Sequence, residues 1–178
     1  MKFFVLCLLA GFALLTGCSS ISPMVAKTTA DGENWVLYAP LKYTDSKLKK
    51  EVTVPRGFVT DFASVPRLFW VAFPPCGRYT PAAVVHDYLY WQQSPLCDRK
   101  CADDVLDTAM KESGVDFATR NAIYLAVRTA GQSAWDKNQL AKSGGVIRQV
   151  PEAFMSFGGD VTWSQLSSRI LTNDGGRP

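Results

Sequence analysis

The spacing of apolar residues changes once along this chain, and that change constrains its fold more than any other feature. Before about residue 62 the apolar groups come in short runs. Trp35-Val36-Leu37-Tyr38 and Leu41-Lys42-Tyr43 precede a charged turn. Val52-Thr53-Val54 follows it, then Pro55-Arg56-Gly57 and Phe58-Val59-Thr60-Asp61-Phe62. Brief β-branched and aromatic runs divided by turn residues predict a small antiparallel sheet. Residues 63–80, with several prolines among bulky apolar groups, read as an ordered loop or a short helical turn. From Thr80-Pro81 the period becomes helical, with Thr80 as N-cap and proline in the first turn. This first helix runs to about Gln93 and stops before Pro95. A second starts near Asp98, aligns Cys101, Ala102, Val105, Leu106, Ala109 and Met110 on one face, and ends at Gly114. A third starts near Asp116 and reaches Gly131 or somewhat beyond. Strands first and helices afterwards give an α+β class: a small antiparallel sheet followed by a three-helix layer. The Gly-rich tail from Gly144 carries Val150, Phe154, Met155, Trp163, Leu166 and Ile170, which suits a partly ordered C-terminal extension.

The first eighteen residues carry a separate signal. Met1-Lys2 supplies a positive charge, and residues 3–15 are apolar apart from Gly11. This is the n-region and h-region pattern of a secretory signal. It falls short of the roughly 20 apolar residues that a transmembrane helix needs. Leu15-Thr16-Gly17-Cys18 resembles the bacterial lipobox, which implies cleavage before Cys18 and lipidation of that thiol. The expected organisation is a signal peptide at 1–17, a lipidated polar tether at 18–33, an α+β core at 34–137 and the extension at 138–178. Several acyl chains anchor stably where one binds only marginally. Ser19, rather than Asp, follows the cysteine, and by resemblance to sorting in enteric bacteria this implies an outer-membrane lipoprotein facing the periplasm.

Removing 17 residues from 178 leaves 161, enough for one domain with a core. The net charge of +3 falls to +2 with the loss of Lys2, and no basic run stands out, so no nucleic-acid partner is expected. Lys47, Lys49 and Lys50 sit beside Asp45 and Glu51, as in a solvated hairpin turn. Of five cysteines, Cys76, Cys97 and Cys101 remain in an oxidising compartment. Cys97 and Cys101 can bridge locally, while Cys76 is an alternative partner for either. With one histidine in the chain and no CxxC, a zinc site is disfavoured.

Three segments place polar groups among apolar ones. Asp61 and Ser64 lie in Phe58-Val59-Thr60-Asp61-Phe62-Ala63-Ser64-Val65-Pro66-Arg67, where a carboxylate must be paired, hydrogen-bonded or shifted in pKa. A strand-end turn accepting backbone N–H bonds accounts for the same residues. In Val84-Val85-His86-Asp87-Tyr88-Leu89-Tyr90, His86 and Tyr90 share a helix face. Asp87 is turned roughly 100° away and must meet another element. Histidine is the natural proton carrier near neutral pH. In Asp98-Arg99-Lys100-Cys101-Ala102-Asp103-Asp104, Asp103 is placed to turn inward while Asp104 and Asp107 face water. Arg120 and Arg128 are the candidate partners of a buried carboxylate, in which case a structural ion pair explains them.

Together Gly57 to Pro66, Pro74-Pro75-Cys76-Gly77, Ala82 to Tyr90 and the Arg99…Ala102-Asp103 step resemble a phage-associated family, the domain of unknown function numbered thirteen fifty-three. The resemblance covers about residues 34–131 and places Asp61, Ser64, His86, Asp87, Arg99 and Asp103 at its polar positions. It implies a fold and a candidate site rather than an activity.

Two functions follow. One is an envelope hydrolase with Asp61, His86, Asp87, Asp103 and Ser64 as catalytic candidates. Arg99, Arg67 and Tyr90 would bind substrate or form ion pairs. A divalent metal is the one cofactor this pattern admits, and no G-x-S-x-G elbow is present. The other is a lipid-anchored binding module, for example in phage exclusion, in which the same polar groups form a buried network that fixes the fold.

Overall fold

A computed structural model of the chain describes residues 20–46, 49–62 and 77–174. The expected signal peptide, Cys18, Ser64, Arg67 and Cys76 therefore lie outside the described residues. Among the described residues five strands precede four α-helices, giving the expected α+β class. The strands form two sheets rather than one. β1 (Ala26–Thr28), β2 (Trp35–Leu37) and β5 (Val59–Thr60) pair antiparallel in the order β1-β2-β5. β3 (Leu41–Asp45) and β4 (Lys50–Val54) form a separate hairpin, with Leu41 opposite Val54 and Asp45 opposite Lys50. Pro40 divides the aromatic run between β2 and β3, because it has no N–H to donate to a ladder. Along β3 burial alternates: Leu41, Tyr43 and Asp45 face in, Lys42 and Thr44 face out.

The same alternation gives the β1-β2-β5 sheet two apolar faces. Leu37 and Phe58 join the main core with the hairpin and helices, whereas Val36 and Val59 pack on Val150, Met155, Phe157, Val161, Leu166 and Ile170. The C-terminal segment is thus a second core rather than an appendage. Residues 148–150 run beside β5, where Val59 N–H donates to Arg148 O at 3.0 Å and Val150 N–H to Gly57 O at 2.8 Å. Gly57 has φ +84°, and a Cβ there would collide with the Val150 carbonyl.

The helices are α1 (Thr80–Gln92), α2 (Arg99–Glu112), α3 (Phe117–Ser143) and α4 (Trp163–Asp174). Asp98 caps α2 by accepting from Cys101 N–H at 2.8 Å, and Asp116 caps α3 by accepting from Thr119 N–H at 2.9 Å. Thr80 is instead the first residue of α1, its hydroxyl accepting from Gly77 N–H at 2.8 Å. A disulfide joins Cys97 to Cys101 across the start of α2. The run Ala82 to Asp87 is buried without interruption, so α1 is the central helix and carries His86 and Asp87 inside with it.

Two expectations are corrected. The polar tether does not extend to residue 33. Thr44 N–H donates to Ser20 O at 2.9 Å and Ser22 N–H to Lys42 O at 2.8 Å, Ile21 is buried beside Tyr43, and β1 follows. Small polar residues look like linker, yet backbone pairing asks nothing of side-chain hydrophobicity. The third helix, expected to reach Gly131 or somewhat beyond, runs to Ser143 and so past the expected core boundary at 137; Gly131 lies inside it, where a Cβ would meet the Tyr90 hydroxyl.

Candidate functional site

The centre of the arrangement is Asp103, fully buried on the inner face of α2. One oxygen, Oδ1, lies 2.8 Å from His86 Nε2 and accepts from the Tyr90 hydroxyl at 2.7 Å. The other, Oδ2, accepts from Arg128 Nη1 at 2.7 Å and from Arg99 Nη1 at 3.2 Å. Helical spacing assembles both halves. His86 and Tyr90, four apart on α1, stack with ring centroids 4.1 Å apart and reach the same oxygen. Arg99 and Asp103 are four apart on α2, and α3 supplies Arg128.

Burial pushes the Asp103 carboxyl upward, but hydrogen bonds from His86, Tyr90 and Arg128 outweigh it and hold the group below the usual carboxylate range. Burial, then the Asp103 hydrogen bond, push the Tyr90 hydroxyl well above its ordinary value, so it stays a neutral donor. An ionised Asp103 can only accept, so its bond with His86 places a proton on Nε2.

Asp87 is turned away from this cluster, as helix geometry requires, and accepts from the buried Thr60 hydroxyl at the end of β5. Asp61, next in the chain, is partly exposed and pairs with Arg148 at 3.4 and 3.5 Å. Arg120 pairs with Asp107 at 2.9 Å, and Asp104 engages Lys100 and Tyr124 at the surface.

Asp61, His86, Asp87 and Tyr90 line one cavity of about 310 Å³ between α1 and α3. From α3 the lining takes Gly131, Lys137 and Asn138, and Arg148 reaches it from beside β5, paired with Asp61. Asp103 and Arg99 stand behind His86 and Tyr90 and do not line it. Gly131 permits this closeness: a Cβ there would sit 2.5 Å from the Tyr90 hydroxyl and 3.3 Å from Arg99 Nη1. Among the described residues no set of three or more His, Cys, Asp or Glu side chains converges as a metal site. Both Asp103 oxygens already face hydrogen-bond donors or the His86 ring.

Residues 35–127 match the family described as "Protein of unknown function (DUF1353)". The chain belongs to that family. The DUF1353 span contains Asp61, His86, Asp87, Tyr90, Arg99 and Asp103, and stops one residue before Arg128. No curated protein and no solved structure matches the chain.

Five cavity or network residues were not foreseen. Thr60 reads as an ordinary strand residue, and Lys137, Asn138 and Arg148 sit in segments without a local signal. Gly131 had one: a glycine inside a helical pattern often marks a close approach.

Proposed function

We propose that this DUF1353 protein is a lipid-anchored cell-envelope hydrolase in which His86 acts as general base. The observation that carries the reading is the Asp103–His86 pair at 2.8 Å, in which His86 lines a cavity of about 310 Å³ and Asp103 stands behind it. The chemistry follows from the geometry. Asp103 orients the imidazole and stabilises its protonated form; His86 takes a proton from water as the water oxygen bonds to the acyl or glycosyl carbon, and returns that proton to the leaving group as its bond to the same carbon breaks. Lys137 on α3 and Arg148, which is paired with Asp61, line the same cavity and supply positive potential for charge that develops on oxygen. The leader and its lipobox support envelope location, and the family resemblance supports a phage or prophage connection. Location points to peptidoglycan or a lipid as substrate class.

A second reading has its own support. His86 and Asp103 are almost completely buried and satisfied by protein partners, as a network that only fixes the fold of a binding module would be. Incubating the purified protein with peptidoglycan sacculi and, separately, with phospholipid vesicles, with products identified by mass spectrometry, distinguishes the two. The hydrolase reading expects products that disappear in His86→Gln, a variant able to keep the hydrogen bond to Asp103. Products undiminished in a folded His86→Gln, or none from either substrate, leave the binding module.

A further inference from the structure

The attachment point and the cavity lie on different layers of the fold. Ser20 is already hydrogen-bonded to β3, so only residue 19 separates Cys18 from a structured residue. Two residue steps span at most about 7 Å. The lipid-bearing edge is therefore the β3–β4 hairpin, whose Lys42, Lys49 and Lys50 are exposed, with Glu51 exposed beside them and the buried Asp45 opposite Lys50. This hairpin packs on α1 and α2, and α3 packs on the same two helices. The cavity lies between α1 and α3, and neither the hairpin nor residues 20–28 contribute to its lining. Packed layers are about 10 Å apart, which sets the cavity roughly two layers from the lipid.

We infer that the β3–β4 hairpin is a membrane-facing surface that rests on anionic phospholipid headgroups, so that the α1–α3 cavity opens to the aqueous side. The inference rests on lipidation at Cys18 and narrows the substrate class. What enters the cavity is carried in water or embedded in the cell wall, because an acyl chain still in the bilayer cannot reach it. Lysines within a Debye length of an anionic leaflet add to the anchor, each by about a fivefold change in partitioning.

The test uses the full-length lipidated protein in vesicles of phosphatidylglycerol and phosphatidylethanolamine, in a Cys76→Ser background. A fluorophore is placed on Thr53→Cys, on the outer hairpin face, or on Lys137→Cys, at the cavity wall. Headgroup-quencher lipids should quench the label at position 53 several-fold more than that at 137. Lys49→Glu with Lys50→Glu should weaken vesicle binding of the unlipidated Cys18→Ser protein by about twentyfold or more. Equal quenching at the two positions, or stronger quenching at 137, overturns the orientation. A protein that carries no acyl mass and does not float with vesicles overturns the anchor, and the orientation with it. Neither result touches the hydrolase reading, which depends on the His86→Gln product assay.

Discussion

Asp103→Asn tests the central arrangement most directly. The substitution keeps size and shape, but turns one acceptor oxygen into an NH2 donor and removes the charge. In the native site that carboxylate meets four groups: His86 Nε2 at 2.8 Å, the Tyr90 hydroxyl at 2.7 Å, and Arg128 and Arg99 at 2.7 and 3.2 Å. The arginine side chains are 27% and 18% exposed, so each recovers part of its solvation by turning outward. His86 and Tyr90 are buried and cannot. Breaking a buried ion pair by removing one partner costs about 3–5 kcal/mol, and a hydrogen bond to a charged group contributes about 1.5–3 kcal/mol. The amide oxygen still accepts from one neighbour, which puts the expected loss near 3 kcal/mol. Urea unfolding reads this as a lower midpoint at unchanged slope, by about 1–3 M for slopes of 1–3 kcal/mol/M.

The pH dependence carries a sign. The native pKa of Asp103 is depressed, so its contribution is present above the unfolded value near 3.9 and is lost as pH falls through the lower native value. The gap between wild type and Asp103→Asn should therefore hold from about pH 5 to 7 and close below about pH 4. A loss under about 0.5 kcal/mol at pH 7, or a gap that widens in acid, would refute the reasoning.

Gly131→Ala should destabilise by about 1–3 kcal/mol despite the better helix propensity of alanine, since its methyl group meets the Tyr90 hydroxyl; a stabilised variant in urea melts would show that the contact gives way easily. Reducing the Cys97–Cys101 bridge, or replacing both cysteines with serine, should cost about 2 kcal/mol from the short closed loop, seen as a lower urea midpoint. Arg148→Ala should leave stability within about 1 kcal/mol, because its pair with Asp61 is partly exposed, while lowering turnover in the product assay; a collapse of the fold would mean that it holds the two cores together.

Much of this molecule is determined by local sequence alone. The change from strand to helix period, the caps at Asp98 and Asp116, and the inward turn of Asp103 on its helix are properties of neighbours in sequence. They follow from side-chain spacing and from backbone groups that need partners. The opposition of His86 and Asp87 on α1 was likewise set by the turn of the helix. Tertiary structure decided what the spacing left open. It paired Asp87 with Thr60, brought Arg148 from the tail to Asp61, and continued α3 through Gly131 into a cavity wall. It also drew the supposed tether into the sheets, because a polar strand pairs as readily as an apolar one once a neighbour offers free backbone groups. Contacts between residues tens of positions apart depend on which faces meet, and a single chain carries no local record of that.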